Sequence, residues 1–398
     1  MLVHTPHFAH SKSSSAVGFE LGRLVRTGNR VGEIPHPMGR APSSLLSPAR
    51  PGATGQCRTD LVEPLFLWWT VRSWVAKEEQ GGPCQVRGDI PPPPIDSSGC
   101  SATREARDHM TVQIRLSEID HARREDRGDG AWSIAPDLGY LRLAIVNVVF
   151  FGAPGSGDRN WMLIDTGLPT SRGSILAVAE KRFGTNARPA AIILTHGHFD
   201  HVGTVLDLAN RWDVPVFAHP LERPYLDGTA SYPPPDPWVG GGLMALLSPL
   251  FPRGPIDLGN RLELLPADGS IPGMPGWRWL HTPGHAPGHI SLWREEDRSL
   301  IVGDAFITTG QESVYEVAVQ DLEMHGPPRY FTPDWDAAER SVKHLAALNP
   351  RMVISGHGAA AAGVGMRQAL DSLAERFRVF AVPPKLKFVR EPAAVQGS

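Results

Sequence analysis

The sequence predicts an α/β fold from Met110 onward, and two observations support this prediction. Short apolar runs such as 190–194 and 299–302 end at a polar residue or a glycine, as buried strands do. Between such runs lie segments with apolar residues at helical spacing, for example Ala338, Val342 and Leu345. Strands interleaved with helices over about 270 residues are sufficient for one large core.

The individual elements follow from the same patterns. Strands are predicted at 141–151, 161–165, 190–195, 214–218, 262–265, 277–280, 290–293, 300–303 and 352–355. The first two are joined by 152–160, whose glycine, proline and serine residues suit a hairpin loop. The strands from 262 to 303 are predicted to build a second sheet. Helices are predicted at 171–183, 202–211 and 334–348, with Asp334 as an N-cap, and the segment 365–377 closes the fold.

The first part of the chain differs in composition. Residues 1–109 are rich in Pro, Gly, Ser and Arg, and prolines fill positions 91–94. We expect this segment to be disordered or weakly structured. It is either a flexible extension or sequence upstream of a physiological start at Met110. The predicted domain then covers residues 110–380, and residues 381–398 form a C-terminal tail.

Composition and charge argue against several classes of protein. The apolar stretch 61–75 is interrupted by charges and is shorter than the ~20 residues that span a membrane. The N-terminus lacks the basic start and apolar core of a signal peptide. We therefore expect a cytoplasmic protein without a membrane partner. The 3 cysteines have irregular spacing, which supports neither a disulfide framework nor a zinc ribbon. A net charge of −3 offers no basic face for nucleic acid.

The run Thr195–His201 contains four potential metal ligands directly after an apolar strand. His196 and His198 can turn to one ion, while Asp200 and His201 turn to another. Imidazole and carboxylate are ligand types that borderline divalent metals accept. A polar loop that happens to be rich in histidine is the alternative, and the matching residues downstream argue against it.

Three further potential ligands, two imidazoles and one carboxylate, follow short apolar runs. His285 lies on a loop rich in proline and glycine, Asp304 follows the strand at 299–303, and His357 follows the strand at 352–355. When several neighbouring strands each end in a glycine followed by a potential ligand, these ligands can meet at one edge of the sheet. The sequence therefore predicts a site that is built from several loops at one edge.

Taken together, this order of motifs resembles the metallo-β-lactamase superfamily, and the resemblance covers roughly 141–377. It implies a four-layer αββα sandwich with two metals at one edge of the two packed sheets. The family pattern implies one metal on His196, His198 and His285, and a second on Asp200, His201 and His357. It implies that Asp304 bridges the two.

The resemblance also implies a supporting residue and a chemistry. In Leu163–Gly167, Asp165 would hold a ligating imidazole by its outer N–H, although a helix cap before Ser171 is an alternative reading. Two divalent ions are implied, with zinc favoured and iron or manganese possible, and no organic cofactor. They would activate a bridging hydroxide to hydrolyse an ester-like bond: a thioester, lactone or phosphoester. Asp200 would orient that hydroxide and carry a proton to the leaving group.

Other members of the superfamily remain as alternatives. A mononuclear iron dioxygenase that acts on persulfides uses fewer ligands, and a metal-binding scaffold without turnover would be expected to lose some of them. The segment His281–His285 resembles both glyoxalase II thioesterases and quorum-quenching lactonases. The C-terminal helical segment with which glyoxalase II grips glutathione is not recognisable in 376–398. Asp304 argues against a lactam substrate.

The remaining histidines and loops yield weaker predictions. His289 is interpreted as a packed strand residue facing Leu292 and Trp293, with a supporting role near the metals as the alternative. Four histidines are interpreted as structural or surface residues, namely His219, His281, His325 and His344. The long apolar segment 231–255 is predicted to be a lid over the metals. With 306–315 and 324–331 it would contact a small-molecule substrate. The oligomeric state is not predicted.

Overall fold

The computed structural model describes residues 114–239, 243–311 and 320–383. The predictions for residues 1–109, for a start at Met110 and for most of the C-terminal tail lie outside the described residues. Residues 312–315 of the predicted substrate-contacting segment 306–315 lie outside them as well. All the structural statements below concern the described residues.

The first sheet has eight strands in chain order along the sheet. They are β2 (Glu125–Asp126), β3 (Trp132–Ala135), β4 (Leu138–Leu143), β5 (Val146–Phe151), β6 (Met162–Ile164), β7 (Ile192–Ile193), β8 (Val216–Ala218) and β9 (Leu262–Leu264). The pairs from β2 to β6 are antiparallel, and the pairs from β6 to β9 are parallel. The carboxyl ends of β6 and β7 therefore meet at one edge of the sheet.

The second sheet has five strands, in the order β10 (Trp277–His281), β11 (Ile290–Arg294), β12 (Ser299–Gly303), β14 (Met352–Ser355) and β15 (Ala361–Ala362). Strands β12 and β14 are parallel, so the residues that follow them also share an edge. A small separate sheet pairs β1 (Ile114–Arg115) with β13 (Glu323–Met324).

The α-helices of the described residues are α1 (Arg172–Phe183), α2 (Phe199–Val202), α3 (Val205–Trp212), α4 (Arg223–Leu226), α5 (Leu243–Leu247), α6 (Trp335–Ala347), α7 (Gly363–Glu375) and α8 (Phe377–Phe380). The predicted cap of α6 is confirmed, because the Asp334 side chain accepts the Ala337 N–H. Within the part of the chain that the structure describes, no helix is long and apolar enough to cross a membrane.

Three separate apolar cores define four layers. Val148 and Phe150 of β5 pack with α1 and α3 on the outer face of the first sheet. Val149, between them in sequence, points the other way into a core shared with Leu292 and Ile301 of the second sheet. The third core joins the second sheet to α6 and α7. The αββα sandwich is confirmed, and each fully buried side chain of this size stabilises it by about 1.5–3 kcal/mol.

Three predicted elements differ from the structure. The strand predicted at 141–151 is the hairpin of β4 and β5, because the backbone turns at Ala144, which has a φ of 53°. The helix predicted at 202–211 is divided into α2 and α3 around Gly203. The strand at 262–264 lies in the first sheet, parallel to β8, and not in the second.

Candidate metal centre

The loop that follows β7 carries four of the predicted ligands. Its side chains are buried, and His196 and His201 have no exposed surface. Helix α2 begins immediately after His198, which presents Asp200 and His201 one turn above the strand end. Because β7 is short and α2 begins soon after it, these four side chains lie close together.

The other three predicted ligands come from the second sheet. His285 lies on the loop between β10 and β11, Asp304 directly follows β12, and His357 follows β14. All three are buried. The packing of the two sheets brings these side chains against the four from the first sheet, so each sheet contributes part of one cluster.

The side chains of both predicted sets lie close together, and a third group, His196, His201 and Asp304, overlaps the two sets. In the first, His198 Nδ1 lies 3.0 Å from His196 Nε2 and 2.8 Å from His285 Nε2. In the second, His357 Nε2 lies 3.6 Å from Asp200 Oδ2, and the ligand atoms of Asp200, His201 and His357 lie within 4.8 Å of one another.

Asp304 contacts both groups. Its Oδ2 lies 3.0 Å from His357 Nε2 and 3.5 Å from His285 Nε2, while its Oδ1 lies 3.5 Å from His201 Nε2. One carboxylate thus spans the boundary between the groups, as a bridging ligand must.

The residues present fit a divalent metal. Among the described residues, His201 Nε2 and Asp304 Oδ1 are buried atoms without a hydrogen-bond partner, although both face the cluster. Buried polar atoms are normally paired, so atoms left bare in this way indicate a ligand between them. The mixture of imidazole and carboxylate suits zinc, iron or manganese.

Hydrogen bonds from outside hold the rings in place. His201 Nδ1 lies 2.8 Å from Asp165 Oδ2, and His357 Nδ1 lies 2.5 Å from the carbonyl oxygen of Ile145. The outer nitrogens of the other rings face hydroxyls, Thr332 for His285 and Thr195 for His196. Each of these four rings is therefore aimed at the cluster by a second partner.

Asp165 is a support and does not cap the helix that follows it. Besides His201, its carboxylate accepts the backbone N–H and the hydroxyl of Thr195, both at 2.8 Å. Helix α1 begins well after it, at Arg172. One carboxylate thus fixes both the start of the ligand loop and the ring of His201.

The electrostatics of the two groups differ. Burial lowers the pKa of His196 and His285 well below the usual value, and that of His198 to about 3. Burial also opposes charge on His201, yet the carboxylates of Asp304 and its neighbours raise the pKa of His201 well above its usual value. The three-histidine group is therefore neutral, and the group next to Asp304 attracts positive charge.

His289 does not have the packing role that the sequence suggested. Its ring is fully buried; Nδ1 lies 2.9 Å from Thr282 Oγ1, and Nε2 accepts the backbone N–H of Asp304 at 2.9 Å. Side chains alternate along β11, so this ring, directly before the strand, lies on the side of Ser291 and Trp293, while Leu292 belongs to the core between the sheets. His289 therefore fixes the backbone at Asp304.

The other histidines lie outside the cluster. His219 stacks on His281 with ring centroids 4.3 Å apart, and His325 Nε2 pairs with Glu323 at 2.9 Å. His344 lies in the last turn of α6. None of these four belongs to a possible metal group of the described residues.

Glu222 is a functional candidate that the sequence did not reveal. Its buried carboxylate accepts the backbone N–H of Gly197 at 2.9 Å and that of Gly288 at 2.7 Å. The hydroxyl of Tyr232 donates to the same carboxylate. Burial raises the pKa of Glu222, and these donors oppose the increase. Its partners are mostly backbone groups, which leave no pattern in a sequence.

Two cavities open onto the cluster. The first reaches Asp200, Asp304 and His357 and is walled mainly by apolar side chains, including Met244, Phe251 and Phe331. The second reaches His198 and His285 and is lined by the prolines at 233–235. The predicted lid, 231–255, thus contributes walls to both, and its residues 240–242 lie outside the described residues.

Comparison with known proteins identifies the family. The family model described as the metallo-beta-lactamase superfamily matches residues 141–357, which is more than half of the chain. The chain belongs to the metallo-beta-lactamase superfamily. The matched range contains every predicted ligand from His196 to His357, so in this superfamily member the cluster lies within the family domain.

Individual relatives of this superfamily member agree at the level of the family. It is 46% identical over 250 residues to the probable metallo-hydrolase YflN of Bacillus subtilis, covering 63% of this chain and 94% of that protein. It is 30% identical over 162 residues to a hydroxyacylglutathione hydrolase of Halorhodospira halophila, covering 40% of this chain and 44% of that protein. A metallo-beta-lactamase family protein from Thermus thermophilus aligns with a TM-score of 0.43 at 24% identity, covering 62% of this chain and 81% of that one.

Proposed function

We propose that this chain is a dinuclear metal-dependent hydrolase that cleaves an ester-like bond, a thioester or a lactone, in a small molecule. The observation that carries this proposal is the meeting of seven ligand-type side chains beside an apolar cavity. Zinc is the proposed metal because imidazole and carboxylate suit it, and iron and manganese are the alternatives.

The side chains divide into two proposed ligand sets. His196, His198 and His285 would hold one ion, and Asp200, His201 and His357 would hold the other. Asp304, which contacts both sets, would lie between the ions. Two ions held there would lower the pKa of an attacking water and polarise the scissile carbonyl.

Asp200 is the proposed catalytic residue. Its carboxylate lines the first cavity next to His357, where an attacking water would lie. It would orient that water, accept its proton on a carboxylate oxygen and pass the proton to the leaving oxygen or sulfur. Among the described residues that line this cavity there is no Ser, Thr, Cys or Lys, which favours water over a side chain as the nucleophile.

The cavity walls favour an uncharged, apolar substrate. The described lining residues include Ile145, Met244, Phe251 and Phe331 but neither Lys nor Arg. Apart from the proposed ions, a phosphate or carboxylate group of a substrate would meet no cationic side chain in these walls. The walls therefore suit the apolar acyl group of a thioester or a lactone.

Hydrolysis by the metal-replete chain tests the proposal. The panel contains an acyl thioester, an acyl lactone, a phosphodiester and a cephalosporin, each with a chelated control. Turnover of the thioester or the lactone that chelation abolishes supports the proposal, and turnover of only the cephalosporin overturns it. Elemental analysis should find two ions per chain, and one ion at saturation would favour the mononuclear iron dioxygenase instead.

A further inference from the structure

Glu222 connects the two loops that carry the three-histidine group. It follows β8, has no exposed surface, and lies between the loop of His196 and His198 and the loop of His285. Its Oε2 accepts the N–H of Gly197, and its Oε1 accepts the N–H of Gly288. A single carboxylate therefore determines how closely these two loops approach each other.

Both loops have glycine where the carboxylate approaches. A Cβ atom on Gly197 would lie 2.8 Å from the hydroxyl oxygen of Tyr232 and 3.3 Å from Glu222 Oε2. A Cβ atom on Gly288 would lie 2.7 Å from the backbone nitrogen and 2.8 Å from Cγ of Glu222. Any larger residue would push the carboxylate away, so the short distances to the amides depend on these two glycines.

Tyr232 extends the connection to the substrate side. Its hydroxyl donates to Glu222 and accepts the N–H of Gly197 at 2.9 Å. Its ring lies 4.4 Å from the ring of His198 and stacks on Tyr225 at 3.9 Å. The prolines at 233–235, which follow it, line the second cavity. The same hydrogen-bond group therefore touches a ligand ring and a cavity wall.

A carboxylate is the group that this position requires. Its two oxygens accept from two amides on opposite sides while also accepting from Tyr232. A glutamine has one carbonyl oxygen and an NH₂ donor, so one buried N–H would face another donor. The amide would keep the volume of the side chain and remove the acceptor for one of the two loops, together with the acceptor for Tyr232 where the NH₂ takes the place of Oε2.

We propose that Glu222 is a positioning residue for the metal centre: by holding Gly197 and Gly288 it sets the distance between His198 and His285, and so the affinity of the three-histidine group for its ion. This inference rests on the proposed metal centre. It assigns no role to Glu222 in the reaction itself, since its carboxylate is directed to the backbone of the two loops.

The test is a metal titration of the full chain with Glu222→Gln. Metal-free protein is titrated with Zn²⁺ against a competing chelator, and with Co²⁺ while the visible spectrum reports the ligand geometry. We expect affinity at one of the two sites to fall about 10–100-fold, the range for residues that support ligands, with an altered cobalt spectrum. The metal affinity of the other site should change less than about threefold. The matched control is Glu323→Gln, another buried carboxylate, whose partner is His325.

Several outcomes would overturn the inference. Wild-type affinity at both sites and an unchanged cobalt spectrum would show that Glu222 does not set the geometry, and so would equal losses in Glu222→Gln and Glu323→Gln. A wild-type chain that binds no metal would overturn the proposed function as well. Should Glu222→Gln not fold, Tyr232→Phe decides: we expect a smaller loss at the same site, and affinity equal to wild type at both sites would contradict the proposal.

Discussion

His201 and Asp165 are joined by a hydrogen bond of 2.8 Å between Nδ1 and Oδ2, and this bond links two strand ends of the first sheet. Asp165 follows β6 and His201 belongs to the loop after β7. The backbone at Asp165 has a φ of 59°, which turns its carboxylate across the strand ends toward the ligand loop. The orientation of one ligand thus depends on the neighbouring strand.

Asp165→Asn should weaken metal binding. Asn offers one oxygen acceptor in place of two, while Thr195 and His201 together present three donors to Asp165. We expect a loss of about 10–100-fold in affinity at the site that contains His201, measured by competition with a chelator. Asp158→Asn, which removes an exposed carboxylate paired with Arg188, is the control. Unchanged metal affinity in Asp165→Asn would show that Asp165 does not support the binding of metal by His201.

Asp200→Asn should separate turnover from metal binding at the first site. The three-histidine group does not include Asp200, so one ion should remain bound. Loss of the group that carries the proton should lower turnover by roughly 10²–10⁴-fold. Metal content and turnover are measured on the same preparation, and near-normal turnover would contradict the assignment of Asp200.

Asp304→Ala should affect both sites together. Its carboxylate contacts His285 in one group and His201 and His357 in the other. We expect metal content and activity to fall in parallel, below the values for Asp200→Asn. Elemental analysis of both variants at saturating zinc checks this, and retention of two ions would show that Asp304 is no bridge.

His289→Ala should reduce metal affinity as well as stability. Removing the ring leaves the backbone N–H of Asp304 without its acceptor and opens a gap beside Thr282. We expect about a tenfold loss in affinity, smaller than for Asp304→Ala, because the ligand itself remains. Thermal unfolding and zinc competition are measured together. If the variant loses thermal stability but keeps its zinc affinity, His289 has only a packing role.

Metal binding should release protons. Burial opposes charge on His201 and His357, yet nearby carboxylates, Asp304 first among them, raise the pKa of both rings above the usual value. The raised pKa values favour the protonated rings in the metal-free chain, and a metal must displace these protons. Affinity should therefore rise with pH and fall as the pH is lowered. Titration calorimetry in two buffers of different ionisation enthalpy measures the release, and equal heats would contradict it.

The predictable part of the site lies in short motifs. Four of the predicted ligands occur within 196–201, and each of the others directly follows a glycine or a short strand. Because parallel strands end at a common edge, such local patterns carry information about positions in space. The sandwich was implied by the family resemblance, and the structure divides neighbouring residues such as Val148 and Val149 between two of its cores.

The parts that the sequence did not predict involve the backbone. Ala144 is not a typical turn residue, so the turn that directs the Ile145 carbonyl to His357 left no signal. Glu222 holds two amides, and its own segment carries no motif. His289 accepts from an amide, which a pattern of apolar residues cannot distinguish from packing.

The division of the ligands between the two sheets has a thermodynamic consequence. His196, His198, Asp200 and His201 belong to loops of the first sheet, whereas His285, Asp304 and His357 belong to the second. An ion held by both is bound only while the sheets are packed face to face, so its binding free energy adds to the cohesion of the core between them. An ion at 100 times its dissociation constant contributes about 2.7 kcal/mol to folding. Free metal would therefore raise the free energy of unfolding of this chain as well as fill the site.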